Sequence, residues 1–357
     1  MNSSDMILSK GYAAYDSKSG LKPFDFKRRP VGTKDILVKI LYCGICHSDI
    51  HTVRSEWGDR EFPIVPGHEI IGKVERVGGD VTRFKAGDIV GIGCMVDSCR
   101  KCESCKAGAE YACEMGGPIW TYGSEEKHIG GKTYGGYSSN IVVDEAFTLK
   151  IPSGLDLAAT APLLCAGTTT YTPLKYWKVG PGQKIGIIGL GGLGHIAVKL
   201  AHSFGADVTV LTTSRDKLND ALKFGASSTL LITDKKAMKD HAGKFDLILD
   251  TASSKHEINS FLNLLKRDGK LVLVGLPSEP LSINAFSIVS GHHVLAGSGL
   301  GGIKETQEML DYCAKKKIGS EVEVIPIQKV NEAYERVVKG DVRYRFVIDI
   351  NSLNKER

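Results

Sequence analysis

Four cysteines crowd one short stretch of this chain: Cys99, Cys102, Cys105 and Cys113, with the spacing C-x2-C-x2-C-x7-C. Four thiolates so close in sequence suit one tetrahedral ion, and a closed shell of four cysteines is how structural zinc is held. The chain has nine cysteines, an odd count, and no secretory pattern precedes them, so metal binding is expected here rather than disulfides. Cys43, Cys94 and Cys313 lack such company and read as small buried apolar residues.

A second chemical signal is Gly189-Leu-Gly191-Gly192-Leu193-Gly194. The apolar run Ile185–Gly189 ahead of it reads as a buried strand, and the spacing from Gly194 to Phe204 reads as a helix. In that context the pattern binds a dinucleotide. The first glycine makes the tight turn, the second admits backbone close to a pyrophosphate, and the third allows the helix to pack on the strand. The next strand, Val208 to Thr213, ends in Thr212, Thr213, Ser214, Arg215, Asp216 and Lys217. An acidic residue at the strand end would suit the ribose of NAD. Three hydroxyls and two cations suit a 2′-phosphate instead, so NADP(H) is expected. Asp216 lies beyond the strand end and is expected to cap the following helix.

The elements that must position these groups fall into two patterns. The first 150 residues carry short apolar runs, such as Ile36–Ile40 and Ile89–Gly93, separated by Gly and Asp turns, and predict a β-rich domain. From about Lys184, strands alternate with helices. Phe245–Thr251 and Lys270–Gly275 are predicted strands with a helix over Glu257–Lys266 between them, which implies a parallel α/β sheet. A helix over Lys304–Lys317 leads to the strand-like Arg345–Asp349, expected to rejoin the first domain.

Bulk properties narrow the class. With 357 residues the chain can build two cores. It is 42% hydrophobic and 24% charged, which excludes disorder, and its net charge of +5 is dispersed, which offers no nucleic-acid or lipid-binding face. The apolar run from Ile185 to Leu200 is glycine-rich and interrupted by His195 and Lys199, so no membrane span is expected. The start, Met-Asn-Ser-Ser-Asp-Met, lacks a basic-then-apolar leader, and a cytoplasmic protein is expected.

Five motifs then occur in order: Cys43-Gly-Ile-Cys46-His47-Ser48-Asp49; Gly67-His68-Glu69; the four-cysteine cluster; Ala161-Pro-Leu-Leu-Cys165-Ala-Gly167; and Gly189 to His195. Together they resemble the zinc-dependent medium-chain alcohol dehydrogenases, and within them the cinnamyl alcohol dehydrogenase branch with its bacterial aldehyde-reductase relatives. The resemblance runs from the N-terminal domain to Tyr344-Arg-Phe-Val-Ile-Asp349. It implies an α/β fold: a GroES-like β-rich catalytic domain over 1–164 with a zinc lobe at about 94–115, a Rossmann doubly wound parallel-sheet domain over 165–301, and a C-terminal segment, 302–357, returning to the first.

The resemblance also implies the site. Cys46, His68 and Cys165 would ligate a catalytic zinc, with Glu69 as an alternative ligand and Asp49 orienting His68. With the four-cysteine site this makes two zinc ions per chain. Ser48 would bond the substrate oxygen and pass its proton through the nicotinamide ribose towards His51. His47 would meet the pyrophosphate and Thr169 the nicotinamide, with Val274 and Ser298 also on the cofactor. Trp57, Met95, Trp120 and Leu300 would line a pocket for flat apolar aldehydes. Trp57 replaces a smaller aliphatic residue of plant lignin enzymes and argues for breadth. The implied activity is reversible hydride transfer between NADP(H) and primary alcohols or aldehydes, in a protein expected to be a homodimer through its nucleotide-binding domain.

Three other readings exist. A zinc module for nucleic acid needs a basic face around the cluster, yet Arg100, Lys101 and Lys106 stand against Glu103, Glu110 and Glu114. A quinone-reductase-like chain without zinc would not need Cys46, His68 and Cys165 together. An NAD-linked polyol dehydrogenase commonly has glutamate as third ligand, where this chain has Cys165.

Overall fold

The computed structural model describes residues 6–277 and 279–354. The chain forms two compact units: one holds the described parts of Met1–Cys165 and Gly301–Arg357, the other Ala166–Leu300.

The first unit is organised on a seven-stranded sheet. Its strands follow the order Val322–Pro326, Arg345–Asp349, Asp35–Gly44, Ile70–Val77, Ile89–Ile92 and Leu149–Lys150, with Asn140–Asp144 also paired to Asp35–Gly44. The strand Asp35–Gly44 is the hub. Its residues 35–39 pair with Asn140–Asp144, its residues 42–44 with Arg345–Asp349, and most of its length with Ile70–Val77, all antiparallel. A strand with neighbours on both edges and helices or turns over its faces must be apolar along most of its length, and Ile36, Val38, Ile40 and Cys43 are buried. The C-terminal strand thus lies inside the N-terminal unit.

The second unit is a six-stranded parallel sheet in the order Ser228–Leu231, Asp207–Thr212, Lys184–Ile188, Phe245–Asp250, Leu265–Leu273, Val294–Gly297. From Lys184–Ile188 the chain steps outward twice, then returns to pair on the other edge of that same strand. This reversal is the switch point at whose carboxyl side doubly wound sheets bind ligands. Helix Gly194–Ser203 buries Ile196, Ala197, Val198 and Leu200. Ile188, Leu211, Leu230, Phe245, Ile248 and Leu271 share one apolar core.

One sequence expectation differs. The helix placed over Glu257–Lys266 covers only Asn259–Leu262, and the following strand begins at Leu265 rather than Lys270. Leu262, Leu264 and Leu265 are all buried in the sheet's core. Leu265 pairs with Phe245, and the register shifts before Leu247 meets Lys270. A run of three leucines within four residues satisfies a helix face or a buried strand equally, and packing chooses between them. Among the described residues no helix is long and apolar enough to cross a membrane.

Candidate active site

Strand pairing in the first unit gathers distant residues. Cys43 and Ile70 are register partners. Cys46 therefore emerges just past one strand, while His68 and Glu69 enter its neighbour. Cys165 closes the short turn Ala161–Leu164. Potential ligand atoms of Cys46, His68, Glu69 and Cys165 all lie within 4.8 Å of one another. Gly67 makes the approach possible. It has φ of +102°, and a Cβ there would stand 2.7 Å from the Cys43 Sγ.

Behind this set lies Asp49, fully buried. Its Oδ2 accepts the Cys46 backbone N–H at 3.0 Å, and its Oδ1 accepts those of Gly67 and His68 Nδ1, each at 3.0 Å. The imidazole is thus held by Nδ1, which leaves Nε2 for a metal. Tyr137 donates from its hydroxyl to Asp49 Oδ2 at 3.4 Å. Glu69, also fully buried, takes Arg345 Nη2 at 2.6 and 2.7 Å on its two oxygens, and the same nitrogen donates to Ile45 O.

Ionisation tests whether a cation fits. Cys46 Sγ and Cys165 Sγ are 4.0 Å apart. Without an ion, the hydrogen bond between them lowers the Cys46 pKa well below the ordinary thiol value and raises that of Cys165 well above it. One proton is shared because two adjacent buried thiolates repel. A divalent cation removes that constraint, so the donor set fits zinc. Burial alone disfavours a charged His68, but Asp49 outweighs it and holds the pKa well above the imidazole value. Burial raises the Glu69 pKa to about 7, with Arg345 pulling the other way.

The second cysteine set is local. Atoms of Cys99, Cys102, Cys105 and Cys113 also lie within 4.8 Å of one another. Arg100, with φ of +58°, turns the chain so that the Cys102 N–H donates to Cys99 Sγ at 3.3 Å. A one-turn helix, Glu103–Lys106, presents Cys105. Backbone N–H groups lower the pKa of Cys99, while burial pushes Cys105 up to about 12. Four thiols cannot all ionise at neutral pH unless a cation joins them.

In the second unit, Gly189 has φ of +85° and its N–H bonds Leu211 O at 2.8 Å. A Cβ on Gly194 would lie 2.1 Å from Gly189 O, so the helix can approach the strand only with glycine there. At Gly191 a Cβ would meet nothing within 4 Å. That open backbone, with Gly192 and Leu193 leading into the ten-residue helix Gly194–Ser203, suits a pyrophosphate.

Residues 32–153 match the alcohol dehydrogenase GroES-like domain and residues 192–315 the zinc-binding dehydrogenase family. NADP-dependent alcohol dehydrogenase C 1 of Mycolicibacterium smegmatis is 52% identical over 98% of this chain and 99% of its own. The chain belongs to the zinc-binding alcohol dehydrogenases. A cinnamyl alcohol dehydrogenase from Sorghum bicolor superposes with a TM-score of 0.94 at 44% identity, over 97% of this chain and 98% of that one. One from Helicobacter pylori, complexed with NADP(H), gives 0.91 at 41% identity, over 97% and 99%.

Within this dehydrogenase, helix His47–Val53 carries Ser48 and His51 three residues apart, hence on one face. Cys46 Sγ donates to Ser48 Oγ at 3.5 Å, so the hydroxyl stands beside the candidate metal. His51 Nδ1 pairs with Glu56, and its Nε2 is buried with no partner among the described residues. His47 is half-buried, and burial lowers its pKa.

The cofactor candidates other than His47 sit in the second unit. Thr212 ends its strand, buried, and its Oγ1 accepts the Ser214 N–H at 3.1 Å. Thr212 therefore shapes the loop, while Thr213 and Arg215 are exposed and Lys217 half-exposed. The next helix, Leu218–Lys223, has Lys217 and not Asp216 at its N-cap position. Val274 and Ser298 each follow a strand, bonding Asp250 O and Leu273 O, and Thr169 is half-buried in helix Ala166–Tyr176.

Met95 and Trp120 are register partners in a small hairpin of the first unit, whereas Trp57 stacks on His51. Leu300 belongs to the second unit. Cys94 departs from the expectation of an isolated apolar cysteine. A hydrogen bond with Cys165 lowers its pKa, which places it beside the metal set. Arg345, Glu56 and Tyr137 were not singled out from the sequence. Glu56 and Tyr137 carry no signal in spacing, and only Arg345, a cation flanked by the apolar Tyr344 and Phe346–Ile348, stands out.

Proposed function

We propose that this chain is an NADP-dependent zinc alcohol dehydrogenase acting as a broad aldehyde reductase on aromatic and apolar substrates. The observation that carries the reading is the convergence of Cys46, His68 and Cys165 around one point, with Asp49 behind His68. Two thiolates and an imidazole leave one position open, as catalytic zinc sites require.

When bound, zinc supplies a Lewis acid for the carbonyl oxygen, and NADPH supplies the hydride. The chain's residues do the rest. Cys46, His68 and Cys165 hold the ion. Asp49 fixes the His68 tautomer. Arg345 keeps Glu69 engaged, which leaves Glu69 a reserve ligand. Ser48 donates its hydroxyl proton to the substrate oxygen during reduction, and His51, one turn along the same helix face, would stand at the far end of the relay that replaces it. Cys99, Cys102, Cys105 and Cys113 hold a second zinc that braces the fold.

NADP selection rests on Thr213, Ser214, Arg215 and Lys217, which offer hydroxyls and cations where NAD would need a carboxylate. The NADP-dependent relative from Mycolicibacterium smegmatis and the Helicobacter pylori structure complexed with NADP(H) support it. Trp57 and Trp120 supply apolar surface for substrate in the first unit, with Met95 buried as the register partner of Trp120. Dimerisation is assigned to the second unit, whose edge strand Val294–Gly297 lies near exposed Phe286 and Val289 in sequence. Nine cysteines, none in a disulfide, suit a reducing cytoplasm.

The test is oxidation of NADPH and NADH by zinc-loaded protein against cinnamaldehyde, benzaldehyde and hexanal, with mannitol oxidation as the polyol arm. Aldehyde reduction with NADPH is expected. Absence of turnover for every aldehyde, or mannitol oxidation with NAD alone, would contradict the assignment.

A further inference from the structure

Helix His47–Val53 ends in a turn that folds back on its own relay histidine. Ser55 adopts φ of +56°, its N–H bonds Thr52 O at 3.1 Å, and the Glu56 N–H bonds His51 O at 2.9 Å. These two bonds are the paired closure of a Schellman motif, with Ser55 in the left-handed position usually given to glycine. The residues just after that position then lie over the third residue from the helix end, which here is His51. The turn delivers two groups. Glu56 engages His51 Nδ1. The Trp57 ring covers the imidazole face to face, with centroids 4.7 Å apart and planes 28° apart. Of the imidazole's two nitrogens, one is committed to a carboxylate. The other, Nε2, is buried and has no partner among the described residues.

We infer that Trp57 is a positioning residue for proton transfer: by stacking on His51 it fixes the ring so that Nδ1 stays on Glu56 and Nε2 faces the proton being moved. The inference rests on the relay proposed above. An imidazole is free to rotate about two torsions, and a hydrogen bond at one nitrogen restrains it only partly. A flat aromatic neighbour at stacking distance removes the remaining rocking motion. Proton transfer requires heavy atoms within about 2.6–3.2 Å, so a loosely held ring spends less time in reach. The physical consequence separates Trp57 from an ordinary pocket wall. A wall residue changes KM according to substrate size. A residue that orients the relay changes kcat for every substrate alike.

The experiment compares Trp57→Leu, Trp57→Phe and His51→Gln by kcat and KM for small and large aldehydes, in light and heavy water. Trp57→Leu is expected to lower kcat about tenfold for all aldehydes and to raise the solvent isotope effect, since poorly aligned proton transfer forfeits part of a roughly 10²–10⁴-fold contribution. Trp57→Phe keeps an aromatic face and should restore most of the loss. NMR of isotope-labelled histidine, which needs neither cofactor nor turnover, should show His51 locked with its Nδ1 bond in wild type and averaging between tautomers in Trp57→Leu. A size-dependent change in KM with kcat and the His51 signal intact overturns the inference and leaves the relay standing. If His51→Gln itself changes neither kcat nor the isotope effect, the relay falls, and the inference with it.

Discussion

The two cysteine sets hold equal numbers of candidate ligands within the same 4.8 Å, yet they are built in opposite ways. Cys99 to Cys113 gather within one short segment: the turn at Arg100, the helical turn after Cys102 and the turn Glu110–Ala112 bring the thiols together. Cys46, His68 and Cys165 gather only because Asp35–Gly44 pairs with Ile70–Val77 and the turn at Ala161–Leu164 packs nearby. The surroundings differ as well. The scattered set has a buried aspartate behind its histidine, a buried Arg345–Glu69 pair and a serine hydroxyl at hand. The local set is supported mostly by backbone N–H groups and Ser98. A metal that is closed off and locally supported can hold the fold. A metal assembled by the fold, with an open position and oriented ligands, can do chemistry.

Breaking the local set should have the largest effect on folding. Structural zinc contributes folding free energy directly. Cys102→Ser is expected to lose several kcal/mol, which for a unit of this size lowers Tm by about 10 °C or more. A variant that melts with the wild type would remove the bracing role.

Ser48→Ala tests the scattered set's chemistry without touching a ligand. The kcat should fall about 10²–10⁴-fold, the usual contribution of a positioned proton donor, with zinc content and melting unchanged. Asp49→Asn sharpens the contrast further. It removes the charge behind His68 and should weaken one zinc by about 10–100-fold while the other keeps its affinity, as competition with a chelator would reveal. Equal weakening of both would mean that Asp49 serves the fold and not the metal.

The smallest effect lies away from both sets. Arg215→Ala should reduce the NADPH-over-NADH preference in kcat/KM by about tenfold, the worth of one charge-assisted hydrogen bond, and leave both metals in place. An unchanged preference would transfer the 2′-phosphate to Ser214 and Lys217.

Legibility in the sequence follows the same division. The four-cysteine cluster and the glycine loop were readable because their geometry is local: spacing alone sets which atoms can meet. The parallel sheet was readable from alternation, although three clustered leucines hid where the helix at Asn259–Leu262 gives way to a strand. Cys46, His68 and Cys165 could be united only through resemblance, because no spacing rule links residues joined by strand pairing. Arg345 on Glu69, Glu56 on His51 and Cys94 beside Cys165 were not legible at all. Each contact depends on where a strand, a helix end or a turn stops, and hydrophobic pattern locates such ends least well.

If one metal braces this dehydrogenase and the other works, zinc per folded chain measured beside activity separates the two. Wild type should carry two zinc ions. Cys165→Ala should retain one, keep a cooperative melt and lose turnover. Fully active wild type with a single zinc, or an active Cys165→Ala protein, would mean that the two sites do not divide the work this way.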